Sequence, residues 1–178
     1  KITFLGNKIF KDKKLKSIIL TEEYKFWKII SGKKYLNEAL ISYDKSLLKN
    51  FFLNNGFYNV QINSSFSKLI ENNEFELIYN IDAGSKIYFN ELSLNLPTDF
   101  ELDNYDEINE LFLDLKGEYY SLYHVEKILN KIETITINEQ YESIDAKIEE
   151  EIILDKINIT FNIKEASKSY ISKINIFG

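Results

Sequence analysis

The chain has 178 residues, 44% of them hydrophobic and 15% aromatic, which is enough apolar side chain for a packed core and excludes a disordered polymer. Its formal net charge is −6 and its 22 cations are all lysine, so neither the basic face of a nucleic-acid binder nor the guanidinium fork of many phosphate sites is present. With no cysteine there is no disulfide, thiolate metal site or cysteine nucleophile. No run of 18 apolar residues spans a bilayer, and no signal peptide is read at the start.

Lys1 to Leu5 reads as a short strand ending at the turn signal Gly6-Asn7. Asp12 is placed to cap a helix carrying Leu15, Ile18 and Ile19 on one face, with Phe10 able to pack back over the first turn. Residues 21–34 (TEEYKFWKIISGKK) read as a loop rich in aromatics, Tyr24, Phe26 and Trp27 among them. Asn37 caps a longer helix, and Ala39, Leu40, Tyr43, Leu47 and Phe51 give it an apolar stripe. Asn55-Gly56 ends that helix, the glycine suiting a left-handed terminal position. Tyr58, Val60, Ile62 and Phe66 then alternate with Asn59, Gln61, Asn63 and Ser65, a strand with one dry and one wet face. After a turn at 71–74, Phe75, Leu77, Tyr79 and Ile81 form the returning strand. The order is strand, helix, helix, strand, strand.

The order then repeats. Residues 75–94 (FELIYNIDAGSKIYFNELSL) return at 157–176 (INITFNIKEASKSYISKINI), aligning Asn80 with Asn162, Ser85 with Ser167 and Tyr88 with Tyr170. A long-period repeat means one structural unit used more than once. In the second unit Leu92 and Leu94 lie in the first strand, and Asp103 or Asn104 caps a helix bearing Ile108, Leu111, Phe112 and Leu115. Ser121 caps the next, with Val125, Ile128, Leu129, Ile132 and Ile135 as its stripe. Residues 141–148 and 157–163 close the unit as a hairpin. INIFG at 174–178 copies ITFLG at 2–6, so a third unit is expected to begin there and the chain to be part of a longer array. The reading is an α+β chain with domains at 1–83 and 84–166 and a first-strand stub at 167–178. Ala83, Gly84 and Ser85 fall at the joint and are the expected hinge.

Few residues suggest chemistry. The single histidine, His124, sits in the first turn of a predicted helix, and Ser121 beside it is explained as a cap rather than a nucleophile. Asp99, Glu101, Asp103, Glu107 and Glu110 are spaced somewhat like a calcium loop, but Asn104 stands where the loop needs glycine. Glu149-Glu150-Glu151 reads as a solvated turn. No catalytic residue, metal site or cofactor is therefore assigned. Two readings stand for Tyr24, Phe26 and Trp27: packing on their own domain, or an exposed partner patch. The strand 57–69 is the most functional-looking element. An unpaired edge offers free N–H and C=O groups, and its outward Asn59, Gln61, Asn63 and Ser65 do not repel an incoming chain.

Taken together, Ile2-Phe4-Gly6-Asn7, Phe26-Trp27, Gly32-Lys33-Tyr35, Leu40-Asp44-Leu48 and Gly56-Phe57 resemble the POTRA domains of the BamA family of outer-membrane protein assembly factors. The Phe26-Trp27 loop is similar to that of the third such domain, which makes the second unit resemble the fourth and residues 173–178 the opening strand of the fifth. The second unit departs from the pattern: Asn95-Leu96-Pro97 replaces Gly-Asn, Gln140-Tyr141 the Gly-aromatic pair, and Leu129 the helix aspartate. The resemblance implies tandem β-α-α-β-β domains, each a three-stranded mixed sheet covered on one face by two antiparallel helices. It also implies a periplasmic, non-enzymatic module that binds unfolded outer-membrane β-barrel precursors by strand addition. Accessory lipoproteins such as BamB would dock near the same edge, with periplasmic chaperones as further partners and the membrane reached only through a C-terminal barrel. Two-partner secretion transporters, translocation and assembly module proteins and division proteins with related domains stay open as alternatives.

Overall fold

Alternation builds the first sheet. In β1 (Ile2–Gly6) the side chains of Ile2 and Phe4 are buried, and in β3 (Glu74–Asp82) Leu77, Tyr79 and Ile81 point the same way. The computed structural model describes residues 1–6, 9–22, 38–69, 74–138 and 144–165. β1 pairs parallel with β3, Ile2 opposite Leu77 and Gly6 opposite Ile81. β2 (Gln61–Leu69) pairs antiparallel with the other side of β3, Ile62 opposite Ile81 and Asn63 opposite Asn80. The last strand in sequence is thus the middle one, and β1 and β2 are the edges.

Two helices cover the buried face. α1 (Asp12–Lys16) is a short helix that contributes Leu15, with Ile19 just beyond it. Asp12 is its first residue rather than its cap; Lys11 holds the cap position and makes no side-chain bond there. Asp12 still favours the helix through the dipole, as an acid in the first turn does. α2 (Glu38–Leu53) buries Ile41, Asp44, Leu48 and Phe52. This stripe lies one residue round from the predicted one, and Tyr43 is 54% exposed. The reason is that a carboxylate belongs to the buried face, so a count of apolar residues alone selects the wrong side. Phe10 closes the core edge-on against Phe51, Phe52 and Phe57, at centroid separations of 4.7, 5.2 and 6.0 Å.

The second unit repeats the plan. β4 (Tyr88–Asn95), a 3₁₀ turn (Leu102–Tyr105), α3 (Asp106–Leu115), α4 (Leu122–Asn138), β5 (Ile144–Ile153) and β6 (Lys156–Glu165) follow in order. Here too the last strand is central, in the order β4-β6-β5. Ile157, Ile159, Phe161 and Ile163 of β6 form the dry face and meet Ile108 and Phe112 of α3 and Val125, Ile128 and Ile132 of α4 in the burial pattern. Tyr105 precedes α3 without a side-chain cap, so neither Asp103 nor Asn104 serves as one; both fall inside the 3₁₀ turn. That turn supplies the chain reversal a cap would otherwise mark.

On the open face, Asn90 bonds Asn158 (2.7 Å), Ser93 bonds Thr160 (3.0 Å) and Asn95 bonds Asn162 (2.8 Å). The partners rise together, so β4 and β6 run parallel. From the first pair to the second, β4 advances three residues and β6 two. The extra residue is a β-bulge, and the Glu91 N–H donates to the Asn158 side chain instead of the ladder.

Contacts divide the chain into a first unit of Lys1–Tyr88 with Tyr119–Tyr123, and a second of Phe89–Glu118 with 124 onward. Within the first, the Tyr120 N–H donates to the Ile87 carbonyl (2.8 Å), and Asn54 Oδ1 accepts the Tyr123 N–H (2.7 Å) and the Ser121 hydroxyl (3.3 Å). Ser121 directly precedes α4, and the Asn54 amide oxygen accepts its hydroxyl together with an N–H of the helix's first turn.

Gly6 and Gly117 separate two reasons for a glycine. Both have positive φ, +89° and +87°. A Cβ on Gly6 would lie 2.2 Å from the Ile81 carbonyl oxygen, whereas one on Gly117 would meet nothing within 4 Å. Gly117→Ala should therefore cost only the left-handed backbone term, about 1 kcal/mol. Gly6→Ala should cost about 2 kcal/mol or more, because parallel pairing must also give way. Urea denaturation of the two variants checks the difference.

Candidate functional site

The candidate site is the β2 edge of the first unit. β2 pairs with β3 on one side and has no strand on the other among the described residues. Gln61, Asn63 and Ser65 are exposed and share the open face, opposite Asp82, Asn80 and Ile78 of β3. Asn59 is exposed too but lies in the turn before β2, so it flanks the edge rather than forming part of it. Ile62 is half-buried against the core. Phe66, on the dry side by parity, is nevertheless 44% exposed. This aromatic at the edge was read from the sequence as core. The signal that it is not is its position five residues past Gln61, where the strand runs out toward the end of the sheet.

The edge is neutral from Gln61 to Phe66 and bears amide and hydroxyl side chains. On the open face β3 places Asp82 opposite Gln61 and Glu76 opposite Ser67. Glu76 accepts from the Thr3 hydroxyl and pairs with the Lys1 ammonium at 2.8 Å. Those two bonds hold the Glu76 carboxyl below the usual range.

Behind the sheet is a buried carboxylate. Asp44 of α2 is fully buried and accepts three hydrogen bonds: from the Leu20 N–H (2.7 Å), the Thr21 N–H (3.2 Å) and the Tyr79 hydroxyl (2.9 Å). It ties the chain after α1 and the centre of β3 to one helix. Tyr79 also stacks on Phe4, 5.6 Å between centroids. Burial, then the bond to the Asp44 carboxylate, push the Tyr79 phenol well above its ordinary value.

The expected hinge residues differ among themselves. Ala83 is buried in the first unit's core, Gly84 has φ +64° with its N–H on Asp82 Oδ1 (3.2 Å), and Ser85 is exposed. Tyr24, Phe26 and Trp27 lie outside the described residues, as does the stub 167–178. Among the described residues no three potential ligands cluster to hold a metal ion, including those of the calcium-like spacing. No helix among them is long and apolar enough to cross a membrane.

Residues 1–84 match the family model POTRA, surface antigen variable number repeat. The first unit is a POTRA domain, and the second has the same fold. The POTRA3-5 crystal structure of Haemophilus influenzae BamA aligns with 93% of this chain and 65% of its own, at TM-score 0.66 and 16% identity. POTRA1-2 of Omp85 from Anabaena covers 94% of this chain and 93% of that one at TM-score 0.56 and 11% identity. The outer membrane protein assembly factor BamA of Buchnera aphidicola subsp. Acyrthosiphon pisum (strain APS) is 22% identical over 183 residues, spanning 99% of this chain. The chain covers 29% of that relative's length. The family match thus covers the first unit, and the chain as a whole is similar to the POTRA regions of BamA and Omp85 proteins; POTRA domains are non-catalytic binding modules.

In this POTRA domain the Asp44 tie makes two measurable predictions. Asp44→Ala strands three donors and should cost about 2–3 kcal/mol. Tyr79 keeps its proton to higher pH when folded than when unfolded, where its pKa is about 10. Its contribution is therefore complete below about pH 10 and is lost as pH rises beyond that. Between pH 9 and 11 the urea midpoint of the native protein should fall more steeply than that of Tyr79→Phe. Parallel curves would show that Tyr79 carries no such linkage.

Proposed function

We propose that the chain is the periplasmic POTRA region of a BamA-type protein, in the position of the third and fourth domains. In this reading the β2 edge of the first unit binds unfolded outer-membrane β-barrel precursors by strand addition. The observation that carries it is the neutral, unpaired edge Gln61–Phe66. Main-chain groups supply affinity with little sequence preference, and the amide and hydroxyl side chains repel no incoming strand. Weak, degenerate contacts suit a surface that must release many clients. Accessory lipoproteins such as BamB are assigned to the same edge, with periplasmic chaperones as further partners. Tyr24, Phe26 and Trp27 form the second candidate patch, and Ala83-Gly84-Ser85 the hinge, where Gly84 supplies the left-handed backbone.

The position in the array rests on the Phe26-Trp27 pair rather than on shape. A Haemophilus ducreyi BamA that lacks POTRA domains 1-3 also aligns with 93% of this chain, at TM-score 0.63 and 16% identity. Adjacent POTRA pairs are similar enough that fold alone does not number them.

The test is a backbone-amide NMR titration with a peptide from an outer-membrane β-strand. Shifts should concentrate at 61–66. Asn63→Lys with Ser65→Lys, both at exposed positions, should weaken the peptide at least fivefold without lowering the melting temperature, because edge lysines discourage strand pairing. Shifts confined to sites away from 57–69 would reject this edge as the client site.

A further inference from the structure

The β5–β6 hairpin ends in a tip that neither core packing nor turn chemistry explains. Ile153 pairs with Lys156, so Leu154 and Asp155 alone make the turn. Leu154 has φ +60°, the one positive φ at a non-glycine among the described residues. Two-residue hairpin turns of this kind ordinarily take asparagine, aspartate or glycine at such a position, because a branched side chain is strained there. Leu154 is also 92% exposed, with Ile153 at 52% and Ile152 at 39%. The residue thus meets a conformational cost without gaining burial. Strain of this sort persists where another requirement holds it.

The surroundings state what the tip would fit. Glu149, Glu150 and Glu151 lie just below it on β5, and successive side chains of a strand alternate faces. Acid therefore stands on both faces of the hairpin beneath an aliphatic tip. Lys147 pairs with Glu149 at 2.9 Å and holds its carboxyl below the usual range, and Asn158 donates to Glu151. Asp155 adds a further carboxylate at the turn, with Lys156 next to it. An anionic bilayer would be repelled by this collar, and so would a second copy of a chain of net charge −6. The opposite arrangement, an apolar pocket rimmed by lysine or arginine on another protein, matches both features at once.

We propose that Ile152-Ile153-Leu154 is a docking knob that seats in an apolar, cation-rimmed pocket of a partner protein, with Glu149–Glu151 meeting the rim. This site is independent of strand addition at β2: its residues are in the other unit, and it uses side chains rather than a free backbone edge.

The experiment places photoactivatable benzoylphenylalanine at position 153 of the full-length protein in its own cells. It is repeated with Leu154→Asn, with Glu149, Glu150 and Glu151 all changed to Gln, and with all three changed to Lys. The expected result is one dominant protein adduct whose cross-linked peptide carries lysine or arginine beside apolar residues. Its yield should fall at least threefold with Gln, at least tenfold with Lys and at least fivefold with Leu154→Asn. The melting temperature of the Leu154→Asn variant should hold or rise, since asparagine suits the left-handed position, so loss of the adduct cannot be blamed on unfolding. A lipid adduct, an adduct to a second copy, a yield indifferent to the charge changes, or no adduct overturns the proposal.

Discussion

The constraint on which the rest of each unit depends is that its last strand occupies the middle of its sheet. β3 and β6 are paired on both sides and bury every second side chain. They can be central only if the first strand joins them in parallel, and a parallel partner needs a crossover long enough to carry the two helices. The helices then have one place to go, over the dry face. The same arrangement leaves two edges per unit, one of them the antiparallel strand that precedes the centre. The open edge is thus a product of the topology, and what varies between units is how its side chains treat an approaching chain.

Asp44 shows how a buried charge can serve this arrangement. A carboxylate taken out of water is costly unless its oxygens are satisfied. Here two backbone N–H groups and a phenol satisfy them. Because the partners come from the segment after α1 and from the central strand, one residue fixes helix, strand and connection together. Among its described residues the second unit has no buried carboxylate of this kind. Its buried polar tie is the Tyr105 hydroxyl against Thr136 at 3.3 Å, and Thr136 also donates to the Ile132 carbonyl. A neutral pair of this kind joins the 3₁₀ turn to α4, and the dry face of β6 is held by packing, as in the stack of Phe112 on Phe161.

Much of this was legible in the chain. The alternation at 58–66 placed Gln61, Asn63 and Ser65 on the wet face where they lie, and the repeat of 75–94 announced two similar units. The errors share a cause. Apolar periodicity put the α2 stripe on Tyr43 and Phe51 because it could not count Asp44 as buried, and the caps at Asp12 and Asp103 were read from residue type alone. Whether a polar side chain turns inward or caps its own helix depends on partners from distant segments, such as the Leu20 N–H that donates to Asp44 or the Asn54 amide oxygen that accepts from Ser121, and no local window contains them. The bulge at Glu91 and the left-handed Leu154 were hidden for the same reason. Each is a property of pairing between strands, and Leu154 carries none of the residue types by which such turns are recognised.

The two antiparallel edges differ in chemistry, and that difference bears on what each can accept. β2 is uncharged from Gln61 to Phe66. β5 occupies the same place in the second sheet but carries Asp145, Lys147 and Glu149–Glu151. Charges along an edge are a standard means of preventing indiscriminate strand pairing. A duplicated fold would present two equivalent strand-addition sites if both edges were neutral, and a client could bridge them or the chains could pair with one another. Making one edge acidic removes that redundancy while keeping the hairpin, whose tip is then free to carry the aliphatic knob. The same β-α-α-β-β plan so yields one edge that is neutral along Gln61–Phe66 and another that is charged along Asp145–Glu151.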